Sequence, residues 1–179
     1  AVLNADDPLC LQMADYTEAN RLSYVTMNPS HSLVKQHINA GGQAFVHEQA
    51  MNGHMITNYD GETHTPLLWT HLIPATIEGR AMHNVHNALI SAALAYNMGV
   101  GLEDIRHGLR TFDTSFFQAP GRMNIYDEHP FRVRLDYAHN PAAVKAICDV
   151  VDRFEVEGRR IVVLAAPGDR RDQDIRDIA

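Results

Sequence analysis

The run Leu135-Asp136-Tyr137-Ala138-His139-Asn140-Pro141-Ala142 decides how this chain is read. Residues 131–135 are strand-like and end on an aspartate, and Asn140-Pro141 then starts a helix. Asparagine favours the N-cap because its side-chain oxygen accepts an orphan backbone N–H, and proline suits the first helical position. The helix should run to about Phe154, with Val144, Ile147 or Cys148, and Val151 on one face. Residues 160–165 are continuously apolar after Arg160, the pattern of a strand inside a parallel sheet. Strand, helix and strand of this length make one βαβ unit, too small to be a finished domain. The fold class expected is therefore α/β, with sites at the carboxyl ends of strands.

Upstream of this unit, residues 123–126 and 131–135 read as strands around the turn Glu128-His129-Pro130. The grammar resets near Phe117-Gln118-Ala119-Pro120-Gly121, which sets a domain boundary between 118 and 119. Before it, Val85, Leu89, Ala92 or Ala93, and Tyr96 fall at helical spacing, with Gly99 and Gly101 to stop the helix. Residues 102–110 give a second, shorter helix. Residues 33–77 read as short β pieces in an antiparallel meander, because Asn52-Gly53 and Asp60-Gly61 are hairpin signals. Residues 1–4 and 21–27 are further strands. Between them Asp7 caps a helix with Pro8 in its first turn, and Leu9, Met13 and Tyr16 form its apolar face.

The chain has 179 residues and a formal charge of −7. An acidic field of that kind repels phosphate, which argues against nucleic acid as the main partner. Two cysteines, Cys10 and Cys148, are too few for a disulfide framework and fit a reducing compartment. The sequence shows no leader and no apolar run of membrane-spanning length, so a cytoplasmic protein with no membrane partner is expected. It opens mid-strand on Ala1 without an initiator methionine, as a piece of a longer chain would. Lysines occur only at 35 and 145, neither in a Gly-x-x-x-x-Gly-Lys-Ser/Thr context, so the chain has no phosphate-gripping loop of that kind.

Four constellations could carry chemistry. Asn84 and Asn87 open the main helix three residues apart, and an amide pair suits the donor–acceptor edge of adenine. The same pattern is met by one Asn capping the helix and the other facing solvent. A metal pair at His83 and His86 lacks further ligands at suitable spacing. Arg122 follows the turn Pro120-Gly121 and could grip a phosphate bidentately, or simply face water. Asp136, at a strand end, could accept both ribose hydroxyls, with His139 beside a helix start where phosphate is also favoured. A capped loop between strand and helix explains the same residues. Asp169, Arg170 and Asp172, after the last expected strand, are either a second wall of the cleft or a solvated charge cluster.

Together the motifs Val2-Leu3-Asn4-Ala5-Asp6-Asp7, His83-Asn84-Val85 with Asn87-Ala88-Leu89, Gly121-Arg122-Met123-Asn124 and Asp136-Tyr137-Ala138-His139-Asn140-Pro141 resemble the Mur ligase superfamily. The resemblance covers essentially the whole chain. It implies residues 1–118 as the second half of a Mur-ligase central ATP-binding domain, carrying the β meander. Residues 119–179 would be the first βαβ unit of a Rossmann-like C-terminal domain.

The activity implied is an ATP-dependent amide ligase that works through an acyl phosphate. With Pro167-Gly168-Asp169-Arg170-Arg171-Asp172, the resemblance is nearest the branch that adds arginine to aspartate β-carboxyls of an acidic polymer. Murein peptide ligases, folylpolyglutamate ligases and a non-catalytic nucleotide-binding or regulatory module are the alternatives. By the family's motifs Asn84 and Asn87 face adenine, Asp136 the ribose and Arg122 the phosphates. His139 lies near the nucleotide, and Arg122 and His139 are the catalytic candidates. Asp169, Arg170 and Asp172 face the amine substrate. ATP and Mg2+ are implied, with the Mg2+ ligands mostly outside this piece, which alone should be inactive. A homo-oligomer of the full-length protein is compatible with the family.

Overall fold

The short parallel strands near the amino terminus and the meander after them, read separately from sequence, form one sheet. A computed structural model describes residues 1–169 and 171–179. Strands β1 (Val2–Asn4) and β2 (Ser23–Thr26) pair in parallel, and β2 pairs in parallel with β3 (Gln43–Ala50). From β3 the sheet continues antiparallel through β4 (Gly53–Asp60) and β5 (Thr63–Trp69), in spatial order β1-β2-β3-β4-β5. The meander expected from the Asn-Gly and Asp-Gly signals is therefore present. Gly53 and Gly61 occupy the positive-φ positions that those turns require.

Strand alternation sends Tyr24, Ala44 and Val46 to one face, where they bury against Leu3 and Val34. Val34 belongs to helix α2 (Ser32–Asn39), which corrects the expectation that β pieces begin at residue 33. Val34 and Ile38 are one helical turn apart and both meet that face. The helix ends at Gly41, at φ 83, and at Gly42, whose N–H donates to the His37 carbonyl at 2.8 Å. A side chain at Gly42 would collide with the His37 ring, so glycine there serves close packing.

Helix α1 (Pro8–Gln12) is capped by Asp7 as expected, with the carboxylate accepting from the Leu9 and Cys10 N–H groups. Those bonds hold the Asp7 carboxyl below the usual carboxylate range. Its apolar face differs from the expected one, however. Leu9, Met13 and Tyr16 are exposed, and Leu11 and Ala14 pack on the sheet instead. Helix α1 has only five residues, too few for a reliable stripe to be read from spacing.

Helix α3 (Met82–Asn97) covers the opposite face, with Val85, Leu89, Ala92 and Ala93 buried. Its Tyr96 ring meets Phe45 edge-on at 5.8 Å, and Asn97 donates to Gln43 at 2.8 Å. Helix α4 (Leu102–Thr111) lies beside β5, where Arg106 donates to the Leu67 carbonyl.

By internal contacts the chain divides into two units. The first is Ala1–Gly79 with His83–Phe112, and the second is Arg80–Met82 with Asp113–Ala179. In the second, β6 (Asn124–Tyr126) and β7 (Val133–Leu135) form an antiparallel ribbon. Helix α5 (Pro141–Asp152) follows, its N-cap Asn140 accepting from Ala143, and α6 (Asp172–Ile178) closes the chain. In α5 Val144 and Val150 are buried while Cys148 is exposed, so the buried face is turned slightly from the one expected.

The strand expected at 160–165 does not form. Ile161, Val162, Val163 and Leu164 are exposed and unpaired in any sheet. A continuous apolar run becomes a strand only where neighbouring strands satisfy its backbone and cover both faces. Among the described residues no strand lies beside it, so the βαβ unit is not completed.

Candidate functional site

The second unit builds its site on one turn. Gly121 sits at φ 70 and Met123 at φ 47, so two left-handed residues flank Arg122. A left-handed non-glycine costs free energy and persists only where its surroundings fix it. Here the fixing partners are explicit. Met123 is buried and its N–H donates to Asp136 Oδ2 at 2.9 Å. Buried Asn124 accepts from Gly121 N–H at 2.7 Å and donates to the Thr114 and Ala119 carbonyls at 2.7 and 2.9 Å. The Gly121 carbonyl accepts from Tyr137 N–H at 2.8 Å, which ties this turn to the loop after β7.

Three expected site residues are thereby brought together. Arg122 is exposed, and its guanidinium lies over the Tyr137 ring, 5.8 Å from the centroid. Among the described residues the guanidinium has no carboxylate or carbonyl partner. Asp136 is half-buried, and Oδ1 remains an open acceptor after Oδ2 takes the Met123 N–H. His139 is half-buried, with Nδ1 2.9 Å from the Tyr137 carbonyl. A carbonyl can only accept, so Nδ1 carries the proton and a neutral ring leaves the Nε2 lone pair open. Among the described residues the result is a cation with no anionic partner and an open imidazole nitrogen at one aromatic ring, with an open carboxylate oxygen on the same loop. That set suits a ligand carrying both an anionic group and hydroxyl donors.

Asn84 and Asn87 lie in the first unit, at the start of α3. Asn84 donates to the Ala75 carbonyl at 2.7 Å and accepts from Asn87 at 3.3 Å. Asn87 is exposed and keeps its oxygen and one N–H available. Of the third group, Asp169 is exposed in a turn and Asp172 begins α6, while Arg170 lies outside the described residues. Neighbouring Arg171 pairs with Asp174 at 2.7 Å.

Sequence reasoning assigned no role to Tyr137 or Asn124. The signal for Asn124 was its place three residues after a turn glycine. A cleft of about 260 Å³ beside α2 was also unforeseen; it is lined by Thr26, Lys35, Glu48 and Tyr59 among others. There Glu48 accepts from the Tyr59 hydroxyl at 2.9 Å. Burial, with that bond and charge, pushes the Tyr59 hydroxyl up to about 12. Among the described residues no three His, Cys, Asp or Glu side chains are grouped to hold a metal ion. No helix among them is long and apolar enough to cross a membrane, and both cysteines are free.

Comparisons with known proteins bear on the class of protein. Residues 121–179, which span the turn, the loop and both following helices, match the family described as Mur ligase, glutamate ligase domain. Residues 121–179 are thus homologous to Mur ligases. More particularly, the chain is 44% identical to the cyanophycin synthetase of Trichormus variabilis over 97% of its length, which is 19% of that protein. It is 39% identical to the cyanophycin synthetase of Synechocystis over 99% of its length, 20% of that protein. A UDP-N-acetylmuramoyl-L-alanyl-D-glutamate–2,6-diaminopimelate ligase of Corynebacterium glutamicum is 42% identical over 49% of the chain and 16% of the relative. The chain therefore spans about a fifth of the length of the cyanophycin synthetases it matches.

Proposed function

We propose that the chain is part of an ATP-dependent amide ligase of the cyanophycin synthetase type, adding arginine to aspartate β-carboxyls of an acidic polymer in the cytoplasm. Residues 1–118 would be the second half of its central ATPase domain and residues 119–179 the start of its C-terminal domain. The observation that carries the reading is the convergence of Arg122, Asp136 and His139 on the Gly121 turn. Identity to cyanophycin synthetases along nearly the whole chain supports the reading of the substrate class.

When bound, ATP supplies the phosphoryl group that turns a carboxylate into an acyl phosphate open to attack by an amine. This chain's residues bind and orient. Asp136 Oδ1 accepts from the ribose hydroxyls. Arg122 offers in-plane N–H donors to phosphate oxygens, whose charge it balances as it builds. His139 Nε2 presents a lone pair to donors near the nucleotide. Asn87, held by Asn84, turns an acceptor and a donor to adenine. Asp169, Arg170 and Asp172 would face the arginine substrate. Mg2+ would accompany the ATP, its ligands lying mostly outside these residues. The 179 residues alone are expected to be inactive.

The 42% identity over half the chain to a diaminopimelate-adding ligase favours, as a second reading, the corresponding segment of a murein peptide ligase. Phosphate release by the full-length protein, measured with arginine, diaminopimelate or glutamate as the amine, separates the two. Stimulation by arginine with an aspartate polymer is expected. Stimulation by diaminopimelate alone would overturn the cyanophycin assignment. In the same assay Arg122→Ala should lower kcat by about a hundredfold.

A further inference from the structure

An exposed arginine samples many rotamers, and fixing it on a ligand costs conformational entropy. Arg122 is exposed, yet the structure gives its guanidinium one partner, the Tyr137 ring at 5.8 Å. Contact with a ring uses no hydrogen-bond acceptor, so the guanidinium N–H groups stay free for two parallel bonds to a phosphate. A carboxylate partner would have consumed those same N–H groups.

Tyr137 is itself fixed from three sides. Its N–H donates to the Gly121 carbonyl at 2.8 Å, and its carbonyl accepts from His139 Nδ1 at 2.9 Å. Its ring lies 5.1 Å from the His139 ring, inclined at 45°. The residue remains 64% exposed, so burial in a core does not account for it. Among the described residues its hydroxyl has no hydrogen-bond partner. What the ring does is hold one cation over the loop that also carries Asp136 and His139.

We infer that Tyr137 is a positioning residue whose ring pre-orients the Arg122 guanidinium for an incoming phosphate, its hydroxyl being dispensable. The inference rests on the reading of Arg122 as the phosphate contact.

The test uses the full-length ligase and two readouts, kcat/KM for ATP and the equilibrium Kd of ADP by calorimetry. Tyr137→Phe and Tyr137→Leu are made in the wild-type and Arg122→Ala backgrounds. Phenylalanine keeps the ring's quadrupole, whereas leucine keeps bulk and loses it. Tyr137→Phe is expected to stay within about twofold of wild type in both readouts, and Tyr137→Leu to lose about two- to fivefold in both. In the Arg122→Ala background the leucine variant should cost nothing more. Equal losses for Phe and Leu, or an undiminished leucine loss without Arg122, would overturn the inference and leave the nucleotide site standing. Wild-type behaviour of Arg122→Ala itself would overturn the site assignment, and the inference with it.

Discussion

The two units of this chain hold themselves together differently. The first wraps helices over both faces of a five-stranded sheet and buries Phe45, Ile56, Val25, Val85 and Leu89 almost completely. The second has a two-stranded ribbon and leaves the apolar run 161–164 exposed, with Met123, Val144 and Val150 among its few buried apolar side chains. Most of the candidate chemistry nevertheless lies in the second unit. Its site residues are positioned by hydrogen bonds to backbone around one strained turn, and hardly at all by apolar packing. Local polar bonding can thus define a site with little core beneath it, provided each buried polar group is satisfied.

The strongest way to break that contrast is truncation of core side chains. Phe45→Ala should destabilise the first unit by about 3–5 kcal/mol, whereas Val163→Ala should stay within about 0.5 kcal/mol, both read from denaturant unfolding. A large loss at Val163 would mean that the exposed run is packed after all.

Asn124→Ala ranks next. It strips three hydrogen bonds from a buried position, which should cost the second unit about 2–3 kcal/mol. Hydrogen exchange would register the loss at the Gly121 and Tyr137 amides and leave the first unit's strands protected.

Smaller effects come from caps and titration. Asp7→Ala should lower stability slightly through the lost bonds to Leu9 and Cys10 N–H, read from denaturant unfolding. Burial, with His54 stacked on it at 4.9 Å, holds the His47 imidazole below its usual range. The folded chain therefore binds that proton less readily than the unfolded one. Stability should be fully present above about pH 6.5 and fall as pH drops through the lowered value. Tyr59 works at the other limit. Its hydroxyl, raised to about 12, makes stability fall between about pH 10 and that value. Unfolding of His47→Asn and Tyr59→Phe across pH should show correspondingly flatter acid and alkaline limbs.

What was legible in the sequence follows the same division. The meander, the long helix α3 and both N-caps could be read because turn glycines, long periodicity and Asn-Pro or Asp-Pro pairs are local signals. Helix α2 was missed because eight residues between turn-rich flanks offer only Val34 and Ile38 as a stripe. The 160–165 strand was expected because composition reports what a segment would do with neighbours, and the described structure provides none. At the site, Arg122, Asp136 and His139 were recognisable as residue types. The Asn124 bonds were not, since they need the segment 114–124 to fold back on itself, nor was the Tyr137 contact, which needs two loops to meet in space.

The central claim is that the Gly121 turn and the loop after β7 form a nucleotide site. Its most direct test is the affinity of the full-length ligase for a non-hydrolysable ATP analogue, compared between wild type and Asp136→Asn. Asparagine can keep its oxygen on the Met123 N–H, which puts an amide NH2 in place of the Oδ1 acceptor offered to the ribose and removes the charge. The account predicts binding about tenfold weaker, with Asp149→Ala, which breaks an exposed pair with Lys145, unchanged. Wild-type affinity in Asp136→Asn would contradict it.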